Sequence, residues 1–294
     1  MSKISLENIS YVYGAGTPFE KHALQNVSFD IRENAITGLI GHTGSGKSTL
    51  VQLLNGLSRP TSGRVLLGGK DIWEKPKEIK IVRFRVGLVM QYPEYQLFEE
   101  TVRADIAFGP KNMGLSPEEI DARVRDAAAL VGLDETLLDH SPFELSGGEK
   151  RRVAIAGVIA MRPEVLVLDE PAAGLDPSGR DRILQQVRDY QKKSGATVII
   201  VSHSMEDMAR FCDDIVVLAD GKVAMKGRGI DVFSRAEELA RVGLNIPEIS
   251  RMCIMLRDRG VPVDYGIFTV EDALACLSRL FENNALRERE AKQS

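Results

Sequence analysis

The segment Gly41-His42-Thr43-Gly44-Ser45-Gly46-Lys47-Ser48 constrains this chain more than any other. It follows a short apolar run, residues 35–40 (AITGLI), and precedes residues 47–57, which read as a helix. Strand, glycine-rich turn and helix in that order open a parallel α/β unit. Glycines let the backbone curl around an anion and offer it N–H donors. Lys47 can reach the outer phosphates of a nucleotide, Ser48 can ligate Mg²⁺, and the following helix points its positive end at the charge. The chain is therefore expected to fold as an α/β P-loop core. It should hold a triphosphate through Gly41, Thr43, Gly44, Ser45, Gly46, Lys47, Ser48 and Thr49.

Two further runs, 165–168 (VLVL) and 197–201 (TVIIV), are continuously apolar and rich in β-branched residues, as strands buried on both faces are. The charged amphipathic stretch 178–193 between them completes a βαβ unit. The first run ends in Asp169-Glu170, where open α/β sheets bind ligands. Asp169 would hold Mg²⁺ and Glu170 would orient or polarise an attacking water. The first thirty residues alternate as an antiparallel sheet with one wet face, and Asp220-Gly221 between IVVLA and KVAMK signals a hairpin. Residues 92–160 read instead as an inserted helical subdomain, with capping boxes at Ser116–Glu119 and Ser146–Glu149. After residue 228, helix-like segments near 231–242, 247–259 and 270–283 form a small appendage, and 284–294 reads as a frayed polar end.

Composition narrows the classes without naming a chemistry. Of 294 residues, 38 are Lys or Arg and 42 are Asp or Glu, a net charge of −4 that argues against a general nucleic-acid binder. The three cysteines, at 212, 253 and 276, form no CxxC pair, so reduced thiols are expected rather than a disulfide scaffold. No stretch approaches the ~18–20 apolar residues that cross a bilayer, and the N-terminal MSKISLENIS has no apolar signal core.

Leu145-Ser146-Gly147-Gly148-Glu149 is the most discriminating segment. A cap serine and two glycines bare the N–H groups of a second helix start, a second anion site that one nucleotide does not need from one chain. A dimer could use both, with the phosphate loop of one chain facing the glycines of the other.

Together the phosphate loop, Gln91, LSGGE, VLVLDEP, Ala173-Gly-Leu-Asp176 and His203 follow in the order seen in ATP-binding cassette ATPases. The steps between them, 44 residues from Lys47 to Gln91, 55 to Ser146, 23 to Asp169 and 34 to His203, suit that family too. The resemblance covers about residues 3–228 and implies roles. Tyr13 resembles the aromatic that stacks on adenine. Gln91 resembles the glutamine that touches Mg²⁺ and the water and reports to a transmembrane partner. His203 resembles the switch histidine on the γ-phosphate, and Asp176 the aspartate that couples two sites across a dimer. Lys47, Gln91, Glu170 and His203 are thus the expected catalytic set, with Ser48, Gln91 and Asp169 on the metal, and Tyr13, Ser146, Gly147, Gly148 and Asp176 joining the phosphate loop around ATP. The cassette is expected over 1–228 and a dimerisation or regulatory appendage over 229–294.

A narrower resemblance rests on Gly16-Thr-Pro-Phe-Glu20, on Gln91-Tyr-Pro-Glu-Tyr-Gln-Leu-Phe-Glu-Glu-Thr101 and on Ala107-Phe-Gly-Pro110. These, with Ser141-Pro-Phe-Glu-Leu-Ser-Gly-Gly and Arg151-Arg-Val-Ala-Ile-Ala-Gly157, are similar to energy-coupling factor (ECF) transporter ATPases, in particular the second of their two A-type subunits. Ala172 stands where a hydroxyl residue is usual and Glu149 where Gln is more frequent, and neither removes a catalytic group. The resemblance implies ATP hydrolysis at the cytoplasmic face of a membrane, in a peripheral subunit powering uptake of vitamins or transition-metal ions. Its implied partners are a paralogous A-type subunit (or a second copy of itself), a transmembrane T subunit and substrate-binding S subunits, with no nucleic acid. Tyr92, Tyr95, Leu97 and Phe98 are the candidate docking surface. The alternatives are a homodimeric importer ATPase, a non-hydrolysing regulator, or a soluble cassette protein of translation or repair. The presence of Glu170 and His203 disfavours the regulator. The single cassette, and the short span from Gln91 to Ser146, disfavour the soluble types.

Overall fold

A computed structural model describes the backbone of residues 2–291 and the side chains of 3–282. Its centre is a six-stranded sheet ordered β10-β9-β3-β8-β7-β6, from β3 (Ile36–Ile40), β6 (Val86–Val89), β7 (Val165–Asp169), β8 (Thr197–Val201), β9 (Asp214–Ala219) and β10 (Lys222–Arg228). The strands from β9 through β6 are parallel, and β10 folds back antiparallel on β9 through the expected Asp220-Gly221 turn. Both turn residues are left-handed, φ 48° and 73°, which a two-residue hairpin turn of this kind requires.

Period-two alternation along the central strands separates two hydrophobic cores. On β7, Leu166 and Leu168 face one core and Val165 and Val167 the other; on β8, Val198 and Ile200 oppose Ile199 and Val201. Every residue of these two strands is buried, which is why they read as unbroken apolar runs. One core lies under the helical subdomain: α3 (Val102–Asn112), α4 (Pro117–Leu130) and α5 (Gly147–Ile159). The other lies under α1 (Lys47–Leu54) and a four-stranded antiparallel sheet, β2-β1-β4-β5. That sheet comprises β1 (Ser2–Tyr13), β2 (Lys21–Arg32), β4 (Ser62–Leu67) and β5 (Lys70–Asp71). Strands β4 to β6 and α2 (Ile79–Arg85) lay in a stretch, 62–89, to which the sequence assigned no element.

At α5 the expected capping box is complete, with Ser146 Oγ accepting from Glu149 N–H and Glu149 returning to Ser146 N–H. At α4 only one arm forms. Ser116 accepts from Glu119 N–H, but the Glu119 carboxylate turns along the helix to Arg123.

Beyond β10 the chain forms α8 (Gly229–Phe233), α9 (Ala236–Arg241), α10 (Glu248–Asp258) and α11 (Val270–Ala291). The single helix expected over 231–242 is therefore two, divided at Ser234-Arg235. The frayed end expected from Asn284 is corrected as well. The run ALREREA has high helix propensity and carries α11 to Ala291, while 292–294 lie outside the described residues. Val232, Phe233, Leu239 and Leu244 join the main core, whereas Cys253, Val263, Ile267, Ala273 and Cys276 form a small core of their own. All three cysteines are free. Among the described residues no helix is long and apolar enough to cross a membrane.

Candidate functional site

The carboxyl ends of β3, β7 and β8 lie side by side, so the phosphate loop, Asp169-Glu170 and His203 emerge at one edge of the sheet. There they line a cleft of about 640 Å³ together with Tyr13 and Gln91. This is the size and position at which open α/β sheets take nucleotides. Gly41, Thr43, Gly44, Gly46, Ser48 and Thr49 line it as expected. Gly46 is required at its position. It caps α1 with φ +105°, and a Cβ there would sit 2.6 Å from the Ala23 carbonyl oxygen.

Lys47 donates to the loop carbonyls of Gly41, at 2.6 Å, and His42, at 3.0 Å, so its ammonium lies inside the loop's curve. Burial pushes its pKa down, and the charges of Glu170 and Asp169 offset part of that. Burial likewise pushes the Asp169 carboxyl up, Glu170 beside it adds to the rise, and Lys47 and the Ser48 hydroxyl pull it back. A buried carboxylate made uncomfortable by a second carboxylate suits a cation. The donors here are one hydroxyl (Ser48), one amide (Gln91) and one carboxylate (Asp169) on the same cleft. Such a set fits Mg²⁺, which keeps waters and phosphate oxygens for most of its shell. Among the described residues, no cluster of three or more His, Cys, Asp or Glu could hold a metal unaided.

Glu170 departs from ordinary backbone geometry. Its φ is +50°, in a region that costs a non-glycine residue about 1–2 kcal/mol. Its N–H is tied to the Val201 carbonyl at 3.0 Å, which holds it there. The side chain, 14% exposed, then meets His203, whose Nδ1 is 3.0 Å from each carboxylate oxygen. Since a carboxylate only accepts, the Nδ1 proton belongs to this contact and Nε2 is left for another group. Tyr13 stands on the other wall. Its hydroxyl is 3.0 Å from Thr49 Oγ1 and its ring packs edge-on to Tyr11, leaving it 42% exposed.

The structure adds detail at three groups of expected residues. The Ser45 side chain is fully buried rather than turned to the cleft, and its hydroxyl finds no partner among the described residues, so only its backbone could serve a ligand. Asp176 caps α6 (Pro177–Ser194), accepting from Gly179 N–H at 3.3 Å. Ser146, Gly147 and Gly148 do not line the cleft at all. They stand at the open start of α5, where a Cβ on Gly147 would meet nothing within 4 Å.

Other residues join the site with no signal in the sequence. Lys21, paired across from Tyr13 at the start of β2, lines the cleft, as do Met205 and residues 243–245. Arg151, on the inner side of α5, is 3% exposed and reads from sequence as one more charged helix residue. It grips Glu94 of the loop after Gln91 with two bonds, of 2.7 and 3.1 Å, and donates to the carbonyls of Pro171 and Ala173 just after Glu170. Burial raises the Glu94 carboxyl, but the Arg151 hydrogen bond, a backbone bond and the Arg151 charge outweigh it, leaving Glu94 below its ordinary range.

Residues 24–173 match the family model for the ABC transporter. An energy-coupling factor transporter ATP-binding protein EcfA2 of Caldanaerobacter subterraneus subsp. tengcongensis is 52% identical over 92% of this chain and 94% of that protein. The chain belongs to the ABC transporter ATPase family. Among solved structures, cbiO1 from Clostridium perfringens, part of the ABC transporter complex cbiONQ, superposes with a TM-score of 0.74 at 39% identity, covering 85% of this chain and 98% of that one. A dimeric ATP-binding cassette in a post-hydrolysis state with ADP and phosphate superposes with a TM-score of 0.69 at 29% identity, covering 77% and 98%. The α/β cassette fold and the ATPase activity expected from sequence are those of this family.

Proposed function

We propose that this family member is the second A-type ATP-binding subunit of an ECF importer, and that it acts as half of an ATP-dependent clamp. The observation carrying this reading is the division of the chain's two anion sites. The phosphate loop shares one cleft with Asp169, Glu170 and His203, while the signature glycines stand open on a different surface. A composite site would take Lys47, Ser48, Gln91, Asp169, Glu170 and His203 from one chain and Ser146, Gly147 and Gly148 from its partner.

In that site the N–H groups of the phosphate loop would cradle the phosphates, with Lys47 on the β and γ groups and Tyr13 against adenine. Ser48, Asp169 and Gln91 would hold Mg²⁺, which supplies charge neutralisation when bound. Glu170 would orient a water in line with the γ-phosphorus. As the water oxygen bonds to phosphorus, the bond to the β–γ bridging oxygen breaks, ADP leaves, and Glu170 draws off the water proton. His203, its Nδ1 held by Glu170, would present Nε2 to the γ-phosphate. Such catalysis is positioning and electrostatic stabilisation of the transferred phosphoryl group.

A paralogous A-type chain is the proposed partner, with T and S subunits in the membrane and this chain peripheral on the cytoplasmic side. Beside Gln91 an apolar surface supports membrane-subunit docking. Tyr95 and Phe98 are exposed, Phe98 meets Phe108 edge-to-face at 5.0 Å, and a groove of about 280 Å³ opens beside them. Leu97 packs partly against the main core and also lines that groove. Residues 229–294 are read as a dimerisation or regulatory appendage, rooted in the main core through Val232, Phe233, Leu239 and Leu244 and carrying a small core of its own around Cys253 and Cys276.

The test is Glu170→Gln. Loss of the general base should lower ATP turnover by about 10²–10⁴-fold while ATP still binds. Full turnover in this variant would remove Glu170 from the mechanism.

A further inference from the structure

The nucleotide cleft has a wall that comes from outside the cassette motifs. Gly243, Leu244 and Asn245, on the segment between α9 and α10, line it beside His203 and Met205. This segment is firmly placed. Gly243 ends α9 with φ +73°, Gly243 N–H bonds Ala240 at 3.0 Å, and Leu244 N–H bonds Leu239 at 2.9 Å. Leu244 is buried in the main core and Ile246 packs against that core. Between those apolar anchors, Asn245 is exposed and lines the cleft. On the far side, the Glu248 N–H that starts α10 donates to Glu206 at 3.2 Å. Glu206 is on α7 (Met205–Phe211), three positions beyond His203.

That attachment ties the segment to the His203 side of the cleft. Tyr13 and Lys21 come from β1 and β2, whereas Asp169, Glu170 and His203 come from the ends of β7 and β8, just before α7. Asn245 is exposed, and its carboxamide makes no hydrogen bond to any described residue. An amide with two free N–H donors on that side of a phosphate site is equipped to bind a phosphate oxygen.

We infer that Asn245 is a further binding residue of this site, donating its side-chain amide to the terminal phosphate of a bound nucleoside triphosphate. The inference rests on reading the cleft as the triphosphate site. It separates triphosphate from diphosphate, because only the former would reach the His203 side of the cleft. The neutral amide adds a donor there without adding charge to the Lys47, Asp169 and Glu170 cluster.

The experiment is calorimetric titration of the full chain with MgATP and MgADP, in a Glu170→Gln background that blocks turnover. Asn245→Ala should weaken MgATP binding about tenfold, the loss of one hydrogen bond to a charged group, and leave MgADP binding within about twofold. Asn245→Asp should weaken MgATP further, since a carboxylate repels the phosphate, and again spare MgADP. Equal loss for both nucleotides, or no loss for either, would overturn the assignment and leave Asn245 a spacer or a contact to another chain. A Glu170→Gln parent that binds neither nucleotide would overturn the reading of the cleft itself, and the role of Asn245 with it.

Discussion

The phosphate loop and the signature loop are both glycine-rich helix starts, yet they are built in opposite ways. The first is concave and braced from behind. Gly46 lies against the Ala23 carbonyl, Ser45 is buried, and Lys47 is held by two loop carbonyls. The second is open and self-contained. Its Ser146 hydroxyl is used within the capping box, donating to Glu149 at 2.6 Å, and open space surrounds Gly147. In the proposed clamp one loop surrounds the phosphates and the other is pressed onto them, so the two would be half-sites of a site completed across two chains. Arg151 links the signature helix to the catalytic side of the cleft, since it ties down the loops that follow Gln91 and Glu170.

The largest expected effect on stability comes from cutting that tie. Arg151→Ala leaves the half-buried Glu94 and the Pro171 and Ala173 carbonyls without their donor and should destabilise the chain by about 3 kcal/mol in denaturant unfolding. Arg151→Ala with Glu94→Gln should recover part of the loss. A loss below 1 kcal/mol for the single change would mean the two loops are held by something else.

Next comes the same substitution in each loop. Gly46→Ala forces a side chain into a left-handed conformation against a carbonyl, and should cost about 1–3 kcal/mol together with ATP affinity. Gly147→Ala, in the first turn of a helix with room around it, should stabilise the isolated chain by about 0.4–1 kcal/mol while lowering turnover. Thermal melts and ATPase rates on both variants check the contrast, and equal behaviour would erase it.

Asp169→Asn sharpens the functional side. The native carboxyl is raised by burial and by Glu170, so its ionised form disfavours folding at pH values above its ordinary 3.8. Removing the charge should raise the melting temperature of the nucleotide-free chain at pH 7 and abolish Mg²⁺-dependent hydrolysis. A lower melting temperature would contradict the stated strain.

The smallest effect belongs far from both loops, where Glu164 bonds Arg85 and Lys3 on the opposite side of the sheet from the phosphate site. The Arg85 hydrogen bond, opposed by burial and aided by Lys3, holds its carboxyl down to about 2 from an ordinary 4.5. Its stabilisation is complete above pH 4.5 and disappears as pH falls to about 2. With solvent screening, Glu164→Gln should cost about 1 kcal/mol at pH 7, nothing at the acid limit, and leave turnover unchanged.

Several features that depend on short-range pattern were legible in the sequence. The phosphate loop, the buried β7 and β8 runs, the Asp220-Gly221 hairpin and the α5 capping box each carry their cause within a few residues. What was not legible depends on packing between distant segments. Nothing within 149–153 marks Arg151 as buried, because its partners are 57 and about 20 residues away. Ser45 turns inward because Gly41 makes room for it beneath the loop. Lys21 and Asn245 reach the cleft only because β2 and the α9–α10 segment lie beside it in the fold.

The most direct test of two half-sites is sedimentation of the Glu170→Gln chain with MgATP, alone and mixed with a second A-type chain, compared with Glu170→Gln/Gly147→Asp. The account predicts ATP-dependent dimers for the first. For the second it predicts monomers that bind ATP with unchanged affinity. If the Gly147→Asp chain dimerises as readily as its parent, or the parent stays monomeric with either partner, the signature loop does not complete a site across two chains.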